Sequence, residues 1–175
     1  MQTQDVNAPP QRTDRPDRGP AMQYLTYTLG DEVFAMDIRA VREIIQYATM
    51  TAVPMMPSFV RGVINLRGQV VPVIDLQSRL GRSVANVGKK TCIIIFDAVN
   101  EGEKVALGLM VDAVSEVIDI LDADIEPPPQ FGASIRRDFI RGMGKVDDSF
   151  IVILEPERAL NIEDMALLAG QAHAE

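Results

Sequence analysis

The chain is poor in the side chains that most often do chemistry. Its 175 residues contain one cysteine, one histidine and no tryptophan. A single cysteine, Cys92, excludes an intramolecular disulfide framework and a thiolate zinc cluster. It is in keeping with a reducing compartment. His173 stands near the very end of the chain, where neither a metal site nor a catalytic triad can be assembled around it. Cations are outnumbered, 17 Lys and Arg against 25 Asp and Glu, for a net charge of −8. That balance lacks the electrostatic footprint of a nucleic-acid binder and argues against docking on anionic lipid. No apolar run approaches the roughly 20 residues that cross a bilayer. The opening stretch MQTQDVNAPPQRTDRPDRGP has no apolar segment of the kind a secretory signal needs. Together these absences predict a cytoplasmic protein with no nucleic-acid partner and no direct membrane contact.

Nothing in the chain assembles into a reaction centre. The GKKT run from Gly88 to Thr91 lacks the glycine spacing of a phosphate-binding loop, and no helix follows it. Cys92 sits in an apolar strand with no histidine near it in sequence, and it reads as an inert core residue. Asp122/Asp124, Asp147/Asp148 and Glu163/Asp164 fall in turns or at a helix start. They leave a small acid-dependent hydrolase as a far weaker alternative. No catalytic residue, no metal ligand and no cofactor is expected. An RNA-binding small barrel is disfavoured by the lack of a basic or aromatic stacking platform.

What the chain does have is apolar content, 47%, spread over many short alternating runs. Residues 1–21 are rich in Pro, Gln, Arg and Asp and read as a disordered leader. From Tyr24, QYLTYTL alternates as a strand, Gly30-Asp31 makes a turn, and EVFAMD returns. IRAVREII suits either a helical turn or a strand, or one running into the other. VPMMP, Val53 to Pro57, is a connector, because two prolines exclude a helix interior or a central strand. VRGVINL and QVVPVIDL flank Arg67-Gly68 as a second hairpin, with Pro72 marking an edge or a bulge. TCIIIFDA reads as a strand buried on both faces. KVALGLMVD and AVSEVIDI follow, then the PPPQFG connector. SIRRDFI reads as a short helix, and a last short helix begins at Asn161. Met50, Met55 and Met56 near the first Pro connector suit either core filling or an adaptable surface.

The chain also repeats itself. FVRGVINLRGQVVPVIDL, Phe59 to Leu76, aligns without a gap over FIRGMGKVDDSFIVILEP, Phe139 to Pro156. Phe59/Phe139, Arg61/Arg141, Gly62/Gly142 and Asp75/Glu155 fall in register. Upstream, FAMDIRAVREII, Phe34 to Ile45, aligns over LGLMVDAVSEVI, Leu107 to Ile118. Two matches in the same order predict two related β-rich units side by side. A framework repeated without reactive side chains points to a binding scaffold. Charges embedded in apolar runs stand out on it: Glu43 in VREII and Arg67 in NLRG. An arginine there either decorates an exposed turn or, paired with a nearby carboxylate, presents its planar, permanently charged fork to a partner, and Glu43 and Arg67 are expected to lie close together as an ion pair.

AVREII, then FVRGVINLRGQVVPVIDLQSRLG, then GLMVDAVSEVI, then FIRGMG and FIVILEPERAL, resemble the CheW-like domain family from about Tyr24 to Leu168. The resemblance implies a mainly β fold of two tandem five-stranded SH3-like barrels sharing a core, with short helices including a C-terminal one. The domain is expected over 22–168, with sub-barrels at roughly 22–86 and 87–160 and a tail at 169–175. Of the settings in which the family occurs, the chain resembles the stand-alone coupling adaptor. The resemblance implies a non-enzymatic bridge between chemoreceptor cytoplasmic tips and the regulatory domain of the histidine kinase CheA. An adaptor of a non-flagellar chemosensory pathway is the alternative. By motif, Val41, Glu43 and Arg67 fall in the receptor-facing region, flanked by Ile38, Ile44 and Asn65. The kinase contact is implied at a sub-barrel edge, without residue assignments.

Overall fold

The computed structural model describes residues 20–83, 86–100, 102–128 and 139–160. The expected leader up to residue 19, the helix from Asn161, the tail at 169–175 and most of SIRRDFI lie outside the described residues.

Strand β1 (Ala21–Leu29) and β2 (Glu32–Asp37) form the first hairpin. It starts one residue ahead of Met22, because Ala21 already pairs with Leu121. IRAVREII resolves into a 3-10 turn, Ile38–Ala40, running into β3 (Val41–Gln46). β4 (Val60–Leu66) and β5 (Gln69–Asp75) flank Arg67 and Gly68, whose φ angles are 52° and 85°. Two consecutive left-handed residues give a hairpin turn whose twist matches that of the strands. A short helix, α1 (Leu76–Arg79), follows, capped by Asp75, which accepts from the Ser78 N–H at 3.3 Å. β6 (Cys92–Asn100) and β7 (Glu103–Val111) make the longest hairpin. β8 (Ala113–Leu121), the two-residue β9 (Ile125–Glu126), β10 (Ile140–Val146), β11 (Ser149–Leu154) and α2 (Pro156–Leu160) complete the described chain.

The strands form two sheets, a six-stranded one ordered β8-β1-β2-β11-β10-β9 and a five-stranded one ordered β3-β6-β7-β5-β4. Neither sheet is a contiguous piece of sequence, so the chain does not divide in space at residues 86 and 87. The 3-10 turn after β2 carries the chain into the other sheet, where β3 pairs with β6. The bend at Asp112 does the reverse and brings β8 back to β1. Each half thus completes the sheet of the other. This exchange follows the repeat: β2–β3 and β7–β8 are the two copies of the upstream motif.

Pleating sorts the side chains into three cores. On β6, Ile93 and Ile95 point into the five-stranded unit with Ile64, Val71, Val73, Ala106 and Met110. The alternate residues Ile94, Phe96 and Ala98 join Leu25, Tyr27, Phe34, Met36, Leu107 and Leu109 in a seam between the sheets. Tyr24, Ala35, Ile120 and Ile153 fill the six-stranded unit. β6 is therefore buried on both faces, as a continuous apolar run predicts. Where the downstream repeats meet, the Arg79 guanidinium stands 4.9 Å from the ring centroids of both Phe59 and Phe139.

Two expectations are corrected. Pro72 lies on β5, an interior strand between β7 and β4. It is tolerated because the parallel ladder to β7 begins only at Val73, so no partner strand there asks for the missing N–H. Cys92 is half-buried at the start of β6, packed against the seam cluster with its S–H donating to the Lys90 carbonyl at 3.2 Å, and is not fully enclosed in the core. Of the connector methionines, Met55 is exposed while Met50 packs on the five-stranded unit's interior.

Candidate functional site

β3 is an edge strand that carries three of the six candidate residues, with Ile38 in the turn just before it. Its register with β6 pairs Val41 with Phe96, then Glu43 with Ile95 and Ile44 with Ile94. Arg42 is the extra residue of a β-bulge between the first two pairs. A bulge moves the following side chains to the other face. Directly opposed residues share a face. Val41 and Ile44 therefore lie on the seam side with Phe96 and Ile94, whereas Glu43 lies on the barrel side with Ile95. Without the bulge, Val41 and Glu43 would share a face and Ile44 would oppose them. Ile38 and Val41 pack against the seam cluster, and Ile44 remains 41% exposed.

The remaining candidates gather at the far edge. Arg67 sits in the β4–β5 turn, and its Nη2 makes an ion pair with Glu43 Oε2. β3 and β4 are the two outermost strands of the five-stranded sheet, so this contact shows the sheet curling until its edges meet. Arg67 is 66% exposed against 27% for Glu43, which leaves the guanidinium open to solvent. Asn65 shapes the turn rather than joining the pair: its side-chain oxygen accepts from the Gly68 N–H at 2.8 Å. The six residues form two clusters, an apolar one (Ile38, Val41, Ile44) and a charged rim (Glu43, Asn65, Arg67).

Sequence reasoning missed the apolar cluster's counterpart on β8. There Val114 pairs with Tyr27 and Val117 with Leu25, with a register shift between them. Tyr27 and Leu25 belong to the seam, so Val114 and Val117 face it as Val41 and Ile44 do. Val117 is 45% exposed. The signal was available, since Val41/Val114 and Ile44/Val117 fall in register in the repeat.

The turn before β3 is electrostatically fixed. Asp37 accepts from the Arg39 backbone N–H at 2.9 Å and from its guanidinium at 2.7 and 3.1 Å. A further bond comes from Arg141 Nη1 at 3.3 Å. The Arg39 hydrogen bond above all, with Arg141 adding to it, pulls the Asp37 carboxyl down to about 2. Among the described residues no group of three or more His, Cys, Asp or Glu is placed to hold a metal ion, and no helix is long and apolar enough to cross a membrane.

Comparison with known proteins agrees with this framework. The family model for the CheW-like domain matches residues 23–164. The chemotaxis protein CheW of Klebsiella aerogenes is 33% identical over 150 residues, covering 86% of this chain and 88% of that one. The probable chemotaxis protein CheW of Rhizobium etli is 36% identical over 135 residues, 77% of this chain and 84% of its own. The crystal structure of the scaffolding protein TtCheW from Thermoanaerobacter tengcongensis superposes with a TM-score of 0.70 at 36% identity, covering 81% of this chain and 88% of that one. On the match over residues 23–164 and on these relatives, the chain belongs to the CheW-like domain family.

Proposed function

We propose that this chain couples chemoreceptor cytoplasmic tips to the regulatory domain of the histidine kinase CheA, from the cytoplasmic side of the membrane. The protein is a chemotaxis adaptor that works by binding and not by turnover, as its family does. The observation that carries the receptor assignment is the division of β3. It offers a half-open apolar strip, Ile38, Val41 and Ile44, beside an exposed guanidinium held in place by Glu43. That combination suits the side of a helical tip, whose apolar stripe meets the strip while polar groups meet Arg67. The named relatives are chemotaxis proteins, which favours swimming chemotaxis over other sensory outputs.

Co-sedimentation of a receptor cytoplasmic fragment, CheA and this protein tests the proposal. The kinase should enter the pellet, and its activity should rise, only when the adaptor is present. Equal recruitment without it would remove the coupling role. Ile44→Asp is expected to weaken receptor binding by about tenfold or more through an unpaired charge at an apolar contact.

A further inference from the structure

The strand that offers the candidate surface is held by the opposite half of the molecule. β2 ends at Asp37 in the six-stranded sheet, and β3 begins at Val41 in the other. Only Ile38–Ala40 lie between them. Asp37, with 15% of its side chain exposed, caps this turn and also accepts from Arg141. Arg141 belongs to β10, where it is the unpaired residue of a bulge between Ile140 and Gly142.

The repeat makes that choice of partner informative. Arg61 is the corresponding bulge residue of β4, between Val60 and Gly62. Its guanidinium turns to Asp75 of its own hairpin, at 3.4 Å. The residue aligned with Asp75 is Glu155. Arg141 nonetheless reaches across to Asp37, on a strand two places away in the sheet and in the other half of the sequence. The same framework position thus serves a local contact in one unit and a contact between halves in the other.

We infer that the Asp37–Arg141 pair positions the candidate receptor-facing strand, tying the crossover, and with it Ile38, Val41 and Glu43, to β10 of the other half. Arg141 is a positioning residue and touches none of the six candidates in the described contacts. Removing it leaves the Arg39 bonds to Asp37 and the pairing of Asp37 with Tyr24 in place, so the turn keeps its cap while losing its tie to β10. The inference rests on the reading of β3 as receptor-facing, and its test separates the two.

The experiment uses the full chain. Amide exchange is followed by NMR in Arg141→Ala, Arg141→Lys and Arg39→Ala. In Arg141→Ala the β3 amides of Glu43–Ile45 should exchange about threefold faster or more, while those of β4 and β5 stay as in the wild type. Arg141→Lys should recover part of that protection. Arg39→Ala, which removes only the local pair, should have the smaller effect. Affinity for a receptor cytoplasmic fragment should fall about fivefold in Arg141→Ala, with the thermal midpoint within about 3 °C of wild type. Unchanged β3 exchange overturns the inference, as does loosened β3 with wild-type affinity. In the latter case Ile44→Asp decides the underlying reading: lost binding there keeps β3 receptor-facing, and retained binding removes both. Uniformly faster exchange, in step with a large drop in midpoint, would make Arg141 a general stability residue and overturn the positioning role.

Discussion

The same hairpin is built twice with opposite charge at its tip. In the five-stranded unit, Arg67 takes φ 52° in the β4–β5 turn and reaches Glu43. In the six-stranded unit, Asp147 takes φ 55° in the β10–β11 turn, and the residue aligned with Glu43 is Glu116. Two carboxylates cannot repeat that ion pair. Everything beneath the tips is shared. Both hairpins carry a bulge at the same place. Both return a backbone bond to the opening phenylalanine, Asp75 N–H to Phe59 at 2.7 Å and Glu155 N–H to Phe139 at 2.9 Å. Each lies parallel to the second strand of a long hairpin. The six-stranded unit thus forms its framework without an arginine–glutamate clasp. The clasp is not what the fold demands, and its exposure places it where a partner can use it.

The comparison can be broken hardest at the shared framework. Gly62 has φ 151°, and a Cβ there would stand 2.5 Å from the Thr51 carbonyl oxygen. Gly62→Ala should cost about 2–4 kcal/mol by chemical denaturation, combining backbone strain and a clash that backbone cannot yield to. At Gly142 the nearest atom is an Ile125 side-chain methyl at 2.6 Å, with the Glu126 carbonyl at 3.0 Å. Gly142, unlike Gly62, is not at positive φ, so only these contacts oppose a Cβ and Gly142→Ala should cost less, about 1–2 kcal/mol. Equal costs would mean that the two bulges are held alike.

Arg79 comes next, because it faces the opening phenylalanines of both hairpins at once. Arg79→Ala should lower stability by about 1–3 kcal/mol, through two lost ring contacts and the packing of the stem. Lysine should restore part of this. A neutral effect would mean that the two hairpins need no common bridge.

The smallest stability effect is expected at the tip itself. Arg67→Ala should cost about 0–1 kcal/mol, since an exposed ion pair contributes little to folding. Lysine should not fully replace arginine in coupling if the planar fork contacts the partner.

Acid titration reports on the Asp37 turn. Its folded pKa, about 2, lies below the ordinary 3.8. The folded state therefore favours the carboxylate. This stabilisation is complete above the ordinary value and fades as pH falls from about 4 towards 2. Asp37→Asn should flatten that part of the midpoint-against-pH curve, and an unchanged curve would detach the slope from this residue.

How much of this was legible varied with the physics involved. Hairpins were legible because turn residues and alternation act locally: Gly30, Arg67-Gly68 and the apolar runs placed their strands. The Glu43–Arg67 contact was legible as two charges stranded in apolar runs. The strand exchange was not, because a crossover is decided by which sheet edge accepts a strand, and the 3-10 turn at Ile38 reads the same in either case. Pro72 misled, since its meaning depended on where the β7 ladder begins. The bulge at Arg42 was also invisible, though it decides which face Ile44 occupies. Helix α1 carried a faint signal, an Asp at its cap and a glycine at φ 85° just past its end, Gly81, but four residues are too few for periodicity to show.

The most direct test of the account is receptor-coupled CheA activity measured with wild-type protein, Arg67→Ala and Asp147→Ala, each also followed by thermal unfolding. All three should unfold within about 2 °C of one another. Arg67→Ala should lose most of the coupled activity while Asp147→Ala keeps it. Equal loss at both tips, or full activity in both variants, would contradict the claim that the framework is duplicated for the fold and the charged corner is single for function.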